Sequence, residues 1–158
     1  MGLMIDQAGD PVRRLQRAVT ALSYSMGRSR VHERLTAAVG VRIERSGTAL
    51  LRTLRHADHA VRITELADLL MVRPPHVTRQ VNALTEAGLV DRTRDANDQR
   101  AQLVSITNSG IELVDRLDES FRNRLTGVLH DVPPEEILKA ARIISRIVEV
   151  SGEDGTFP

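Results

Sequence analysis

The apolar positions of this chain change period twice. After Pro11, the residues Val12, Leu15, Val19, Leu22 and Met26 recur at steps of three and four, the seam of an amphipathic helix. Asp10 suits its cap and Pro11 its first turn, and the helix is expected to run to about Ala38. Gly40 and Gly47 then interrupt, and "TALLRTLRH" predicts a short helix over about 48–56. "ITELADLL" predicts another, with Thr64 as its cap, Glu65 at its positive end and Leu66, Leu69 and Leu70 as its apolar side. "MVRPP" is a turn into the helix "RPPHVTRQVNAL", whose Val77, Val81 and Leu84 make one stripe and which stops at Gly88.

The period then falls to two. "LVDRTR" (89–94) and "AQLVSIT" (101–107) are short and β-branched, and "DANDQR" between them is turn-rich, so a two-stranded hairpin with a polar tip is expected. From Ser109 the helical period returns, with Val114, Leu117, Phe121, Leu125 and Val128 on one face. Pro134, Glu135 and Glu136 suit the start of a last helix, whose stripe is Ile137, Ala141, Ile144 and Val148. The class is mostly α with a small β-hairpin wing. A winged helix–turn–helix lobe (41–108) is flanked by a long N-terminal helix (1–40) and long C-terminal helices (109–158). Those outer helices are too apolar for a lone chain.

Composition narrows the chemistry. The 158 residues are 41% hydrophobic but only 2% aromatic (Tyr24, Phe121 and Phe157), which suits a helical core of aliphatic side chains. With no cysteine, disulfides, thiolate metal sites and cysteine catalysis are excluded. The first residues lack the pattern of a secretory signal, and no stretch reaches the length of a membrane span, so a cytoplasmic protein is expected. The net charge of +1 is unevenly spread. Residues 1–61 carry 10 basic and 5 acidic side chains, 62–107 carry 6 of each, and 108–158 carry 6 basic and 10 acidic. A polyanion would therefore meet a local patch.

One such patch is legible. At about 100° per residue, Pro75, His76, Arg79, Asn82 and Ala83 lie broadly opposite the stripe of Val77, Val81 and Leu84. From Met71 to Thr85 there is no carboxylate, although 27% of the chain is charged. Guanine acceptors fit Arg and adenine edges fit Asn, so this face suits the major groove of DNA. The two prolines stiffen the first turn, the part of a recognition helix that reaches the bases. As a plain sequence feature the same face reads equally as a solvated one; the two-helix unit and the hairpin beside it favour the nucleic-acid reading.

The stretches "ITELADLL", "VTRQVNALTEAGLVDR" and "DANDQRAQLVSITNSG" resemble the MarR family of bacterial transcriptional regulators, and the resemblance extends over nearly the whole chain. Its most specific part is the wing: Asp98, Arg100, Ile106, Thr107 and Gly110 stand where the family has Asp-x-Arg, then Leu/Ile-Thr, then Gly. The resemblance implies a homodimeric, sequence-specific regulator of repressor type, joined through its first, fifth and sixth helices and bound to double-stranded DNA at a palindromic operator. It implies that Pro75, His76, Thr78, Arg79 and Asn82 lie on or beside the groove face, that Thr64 donates to a phosphate, and that Arg94 and Arg100 lie on the wing with Asp98 holding Arg100. The family's cap on the recognition helix is often a small hydroxyl residue. Here it is Arg73, which cannot accept a hydrogen bond and is expected to reach a phosphate. The family also implies a small aromatic or anionic effector, for which Tyr24, Arg28 and His32 lie on successive turns of the first helix. Read without the family, Tyr24 packs and Arg28 is a surface charge.

Other clusters are thin. His56, Asp58 and His59 read as a metal group or as solvated residues, His32–Glu33 as a surface pair, and His130 as a residue suited to a helix end. No nucleophile turn, glycine-rich phosphate loop or apolar carboxylate pair is present in the sequence, so neither an enzyme nor a cofactor is expected. The competing reading is a winged-helix module for protein contact, without specific DNA binding.

Overall fold

The computed structural model describes residues 10–27, 36, 40, 43–57, 59–96, 98 and 101–154. Among them the chain forms α1 (Pro11–Gly27), α2 (Arg45–Ala57), β1 (Val61–Arg62), α3 (Ile63–Leu69), α4 (Pro74–Glu86), β2 (Val90–Arg94), β3 (Gln102–Ile106), α5 (Asn108–Val128) and α6 (Pro134–Asp154). The expected class, mostly helical with a small β wing, is the one observed. The chain divides into two compact units, 1–120 and 121–158, with the division inside α5.

In the first unit the apolar stripes meet in one core. Leu50, Leu51 and Leu54 of α2, Leu66 and Ala67 of α3, and Val77, Val81 and Leu84 of α4 are buried. Val61, Val90 and Val104 close it from the strands, and Leu113, Val114 and Leu117 from α5. Aliphatic burial of this kind is the main favourable term in folding. Between α2 and α5 run two ion pairs, Arg52–Asp118 at 2.5 Å and Arg55–Asp115 at 2.8 Å. Both are largely solvated and add little.

The expected two-stranded hairpin is a three-stranded antiparallel sheet of order β1-β3-β2. Val61 and Arg62 pair with Val104 and Leu103, while β2 and β3 pair from Val90–Ile106 to Arg94–Gln102. A two-residue strand has no period to detect. Its pairing also corrects the start of α3. Thr64 is not the cap: the cap is Arg62, in extended conformation with no side-chain bond to the helix, and Thr64 stands exposed in the first turn. The apolar side of α3 shifts likewise. Leu66, Ala67 and Leu70 face the core, and Leu69, about 110° away at the helical period, is 57% exposed. The helix expected over about 48–56 is longer, Arg45–Ala57, because Glu44 opens it by accepting the Thr48 N–H at 3.0 Å.

Both helices of the helix–turn–helix end in the same way. Val72 N donates to Ala67 O at 2.9 Å and Met71 N to Asp68 O at 3.0 Å. Leu89 N donates to Leu84 O and Gly88 N to Thr85 O, both at 2.9 Å. These are Schellman closures, which need a left-handed residue after the cap. Gly88 takes it at φ +69°, as the expected stop. At the first closure a side-chain-bearing residue, Met71, takes it at φ 51°.

The junction of wing and α5 explains the Thr-and-Gly pattern of the wing's end. Thr107 Oγ1 donates to Gly88 O at 2.8 Å and accepts the Gly110 N–H at 3.1 Å, so it caps α5 while tying it to the end of α4. A side chain at Gly110 would place its Cβ 2.3 Å from Leu89 O.

α1 starts as expected, with Asp10 Oδ1 accepting Val12 N–H at 3.0 Å. Its seam is uncovered: Val12 is 72% exposed, and Leu15 and Leu22 are also open. The expected extension to Ala38 falls largely outside the described residues. In the second unit Pro134 opens α6 with Glu135 and Glu136 in its first turn. Leu138, Ile143, Ile144 and Val148 of this helix are exposed in the single chain. Among the described residues no helix is long and apolar enough to cross a membrane.

Candidate nucleic-acid interface

The recognition-type helix is α4. Val77, Gln80, Val81 and Leu84 are its buried side. Pro75, Thr78, Arg79, Asn82 and Ala83 are exposed, and His76 is half-buried at the edge of the stripe. The face read from the helical period is therefore the face turned away from the core. Arg73 is the N-cap, extended and without a side-chain bond to the helix, and prolines occupy the first turn. Thr78 Oγ1 donates to Pro74 O at 3.0 Å, which leaves its oxygen lone pairs outward. Arg79 Nη2 donates to His76 Nδ1 at 3.2 Å, one turn back on the same helix. This contact holds the guanidinium along the exposed face.

Three placements escaped the sequence reading. Gln80 lies within the apolar stripe, three residues after Val77 and four before Leu84, and is buried. Its Nε2 donates to Glu44 Oε2 at 2.8 Å, linking α4 to the start of α2. The helical spacing alone puts Gln80 on the inward side, so its position was detectable; its partner, 36 residues away, was not. Arg92 follows Val90 by two residues and shares its side of β2, half-buried. Its Nη2 donates to Oδ1 of Asn82 on α4. Finally, Arg62 of β1 grips Asp95 at the end of β2 through Nε at 2.9 Å and Nη2 at 2.5 Å.

The wing carries the rest. Arg94 ends β2 and is exposed, and Asp98 stands exposed in the tip. Asp95 N donates to Ala101 O at 3.1 Å and Ala101 N to Asp98 O at 2.9 Å, closing the loop. Arg100, expected to be held by Asp98, lies outside the described residues. So do Arg28 and His32 of the expected effector pocket, while Tyr24 is exposed on α1. His56 Nδ1 donates to Arg52 O at 2.7 Å and His59 Nδ1 to Ala57 O at 2.5 Å. Asp58 between them is not described, and no cluster of three metal-ligating side chains occurs among the described residues.

A helix–turn–helix whose second helix turns Arg79 and Asn82 outward, followed by a sheet-borne wing, matches the MarR family model over residues 43–101. Solved structures of similar fold span almost the full chain. The transcriptional regulator BldR from Sulfolobus solfataricus is 25% identical with a TM-score of 0.63, covering 89% of this chain and 99% of its own. A MarR family protein from Bacillus stearothermophilus is 18% identical at a TM-score of 0.72, with 95% and 99% covered. Wild-type MarR from E. coli, in its apo form, is 20% identical at 0.68, with 87% and 96% covered. Residues 43–101 are thus similar to the MarR family domain, and nearly the whole chain shares the fold of those structures. That match supports a DNA-binding transcriptional regulator. Beyond the matched range, Thr107 caps α5 and Gly110 lets α5 touch the end of α4.

Proposed function

We propose that the chain is a cytoplasmic homodimeric repressor that reads a palindromic operator, one winged lobe per half-site. The observation that supports this most is the outer face of α4. It offers Arg73, Arg79 and Asn82, with no carboxylate from Met71 to Thr85, on a helix whose other side is locked into the core. In this reading α4 enters the major groove and the wing, with Arg94 and Arg100, follows the adjacent minor groove. Arg73 and Thr64 meet phosphates. Asp98 positions Arg100.

Dimerisation rests on the open apolar rows of α1 and α6, which a second copy would cover. The dimerising segments are then 1–40 and 109–158, around a DNA-binding lobe of 41–108. A small aromatic or anionic effector, held near Tyr24, Arg28 and His32, would release the DNA. Ile144→Arg would break the dimer in light scattering and weaken operator binding, because two linked half-sites act through effective concentration. A wild-type monomer at micromolar concentration would refute the arrangement.

The DNA reading is tested by binding to a selected operator and to scrambled DNA at two salt concentrations. Arg79→Ala is expected to cost roughly 1–3 kcal/mol per half-site on the operator and less on scrambled DNA. Arg94→Ala is expected to weaken both and to lower the salt slope by about one per contact removed. If Arg79→Ala leaves the specific-to-nonspecific ratio unchanged, α4 is not the reader. The protein-contact reading then takes its place, supported by exposed Leu69, Met71 and Val72 at the turn before α4.

A further inference from the structure

Asn82 is exposed on the outward face of α4, but its amide is not free to turn. Arg92, half-buried on β2, donates from Nη2 to its Oδ1. A guanidinium carries donors alone, so the amide atom that faces it has to be the oxygen. An unheld asparagine amide presents either end at similar cost, since its two ends match in size and differ only in hydrogen-bonding sense. A charged donor removes that freedom. The Arg92 Nε is buried with no hydrogen-bond partner, so the guanidinium is seated under the helix and not waving in solvent.

We propose that Arg92 is a positioning residue for base reading: it holds Asn82 with the Nδ2 amino end outward. The inference rests on the DNA reading of α4 given above. A base meeting that amino group must carry an acceptor. In the major groove guanine offers N7 and O6, adenine N7 and thymine O4, whereas cytosine offers only its N4 donor. Asn82 therefore rejects cytosine at one symmetric operator position, and it does so because of a residue that reaches no base itself.

The test is selection of binding sites from random duplex DNA by the full chain and by Arg92→Met and Asn82→Asp. The wild type is expected to deplete cytosine about tenfold at one symmetric position. Asn82→Asp is expected to reverse that preference and enrich cytosine, because a carboxylate accepts from Arg92 with one oxygen and from N4 with the other. Arg92→Met is expected to lift the depletion at that position alone. A purely structural role for Arg92 would weaken all sequences evenly and leave the profile unchanged. Cytosine depletion that persists in Arg92→Met, or a profile unaltered by Asn82→Asp, overturns the inference while leaving the DNA reading intact. A wild type that selects no sequence overturns both. Should Arg92→Met fail to fold by circular dichroism, Arg92→Gln takes its place: its neutral amide can donate or accept, so the depletion is expected to fall, and depletion kept in full overturns the inference.

Discussion

The buried amide of Gln80 on α4 donates to the Glu44 carboxylate at 2.8 Å, joining the second helix of the helix–turn–helix to the residue that opens α2. Truncating Glu44 leaves that amide inside the protein without its acceptor, at a cost of about 1–3 kcal/mol. Glu44→Ala is therefore expected to lower the midpoint of thermal unfolding by roughly 2–4 °C per kcal/mol, and Glu44→Gln to recover most of the loss. Equal midpoints for wild type and Glu44→Ala would show the bond to be idle.

Gly110 has no room for a side chain. A Cβ there would meet Leu89 O at 2.3 Å and Ile106 Cγ1 at 2.7 Å, and the first of these is backbone. Gly110→Ala is expected to destabilise by about 1–3 kcal/mol or more, since the start of α5 must move away from the end of α4. Urea unfolding measures it. Replacement of Gly127, where a Cβ meets nothing within 4 Å, is the control and should be near neutral or stabilising.

Met71 stands 89% exposed at φ 51°, so its side chain contributes strain and little packing. Met71→Gly relieves the strain while adding freedom to the unfolded chain, for a net gain of about 0.5–1 kcal/mol. Met71→Val, β-branched in the same conformation, is expected to lose stability. The order Gly, Met, Val in thermal stability checks the geometry; a Gly variant less stable than wild type contradicts it.

Arg62 reaches from β1 to Asp95 at the foot of the wing. Asp95 is buried and Arg62 is not, so solvent screens the pair and its loss should cost only about 1 kcal/mol overall. The local effect is the larger one. In Asp95→Ala the loop bond between Ala101 and Asp98 should open more often, seen as faster hydrogen exchange at the Ala101 amide while core amides of α2 hold. Unchanged exchange at Ala101 would mean that the wing does not need this anchor.

The one-dimensional chain determined whatever repeats at short range. The stripe of Val77, Val81 and Leu84, the Asp10 cap, the proline starts of α4 and α6 and the Gly88 stop were legible because each depends on residues within one or two turns. The outward face of α4, with Arg79 and Asn82, followed from the same period. So did the hairpin strands, whose alternation is local. Only the tertiary structure decided the rest. β1 is two residues long and exists through its pairing with β3, and that pairing moved the cap of α3 from Thr64 to Arg62. The spacing puts Gln80 on the inward side of α4, but its partner Glu44, 36 positions away, carries no such mark. Thr107 and Gly110 matter because α5 touches the end of α4. Hydrogen-bond partners and close approaches across the fold carry no period, so spacing along the chain determines which side of a helix faces inward and packing decides what it meets there.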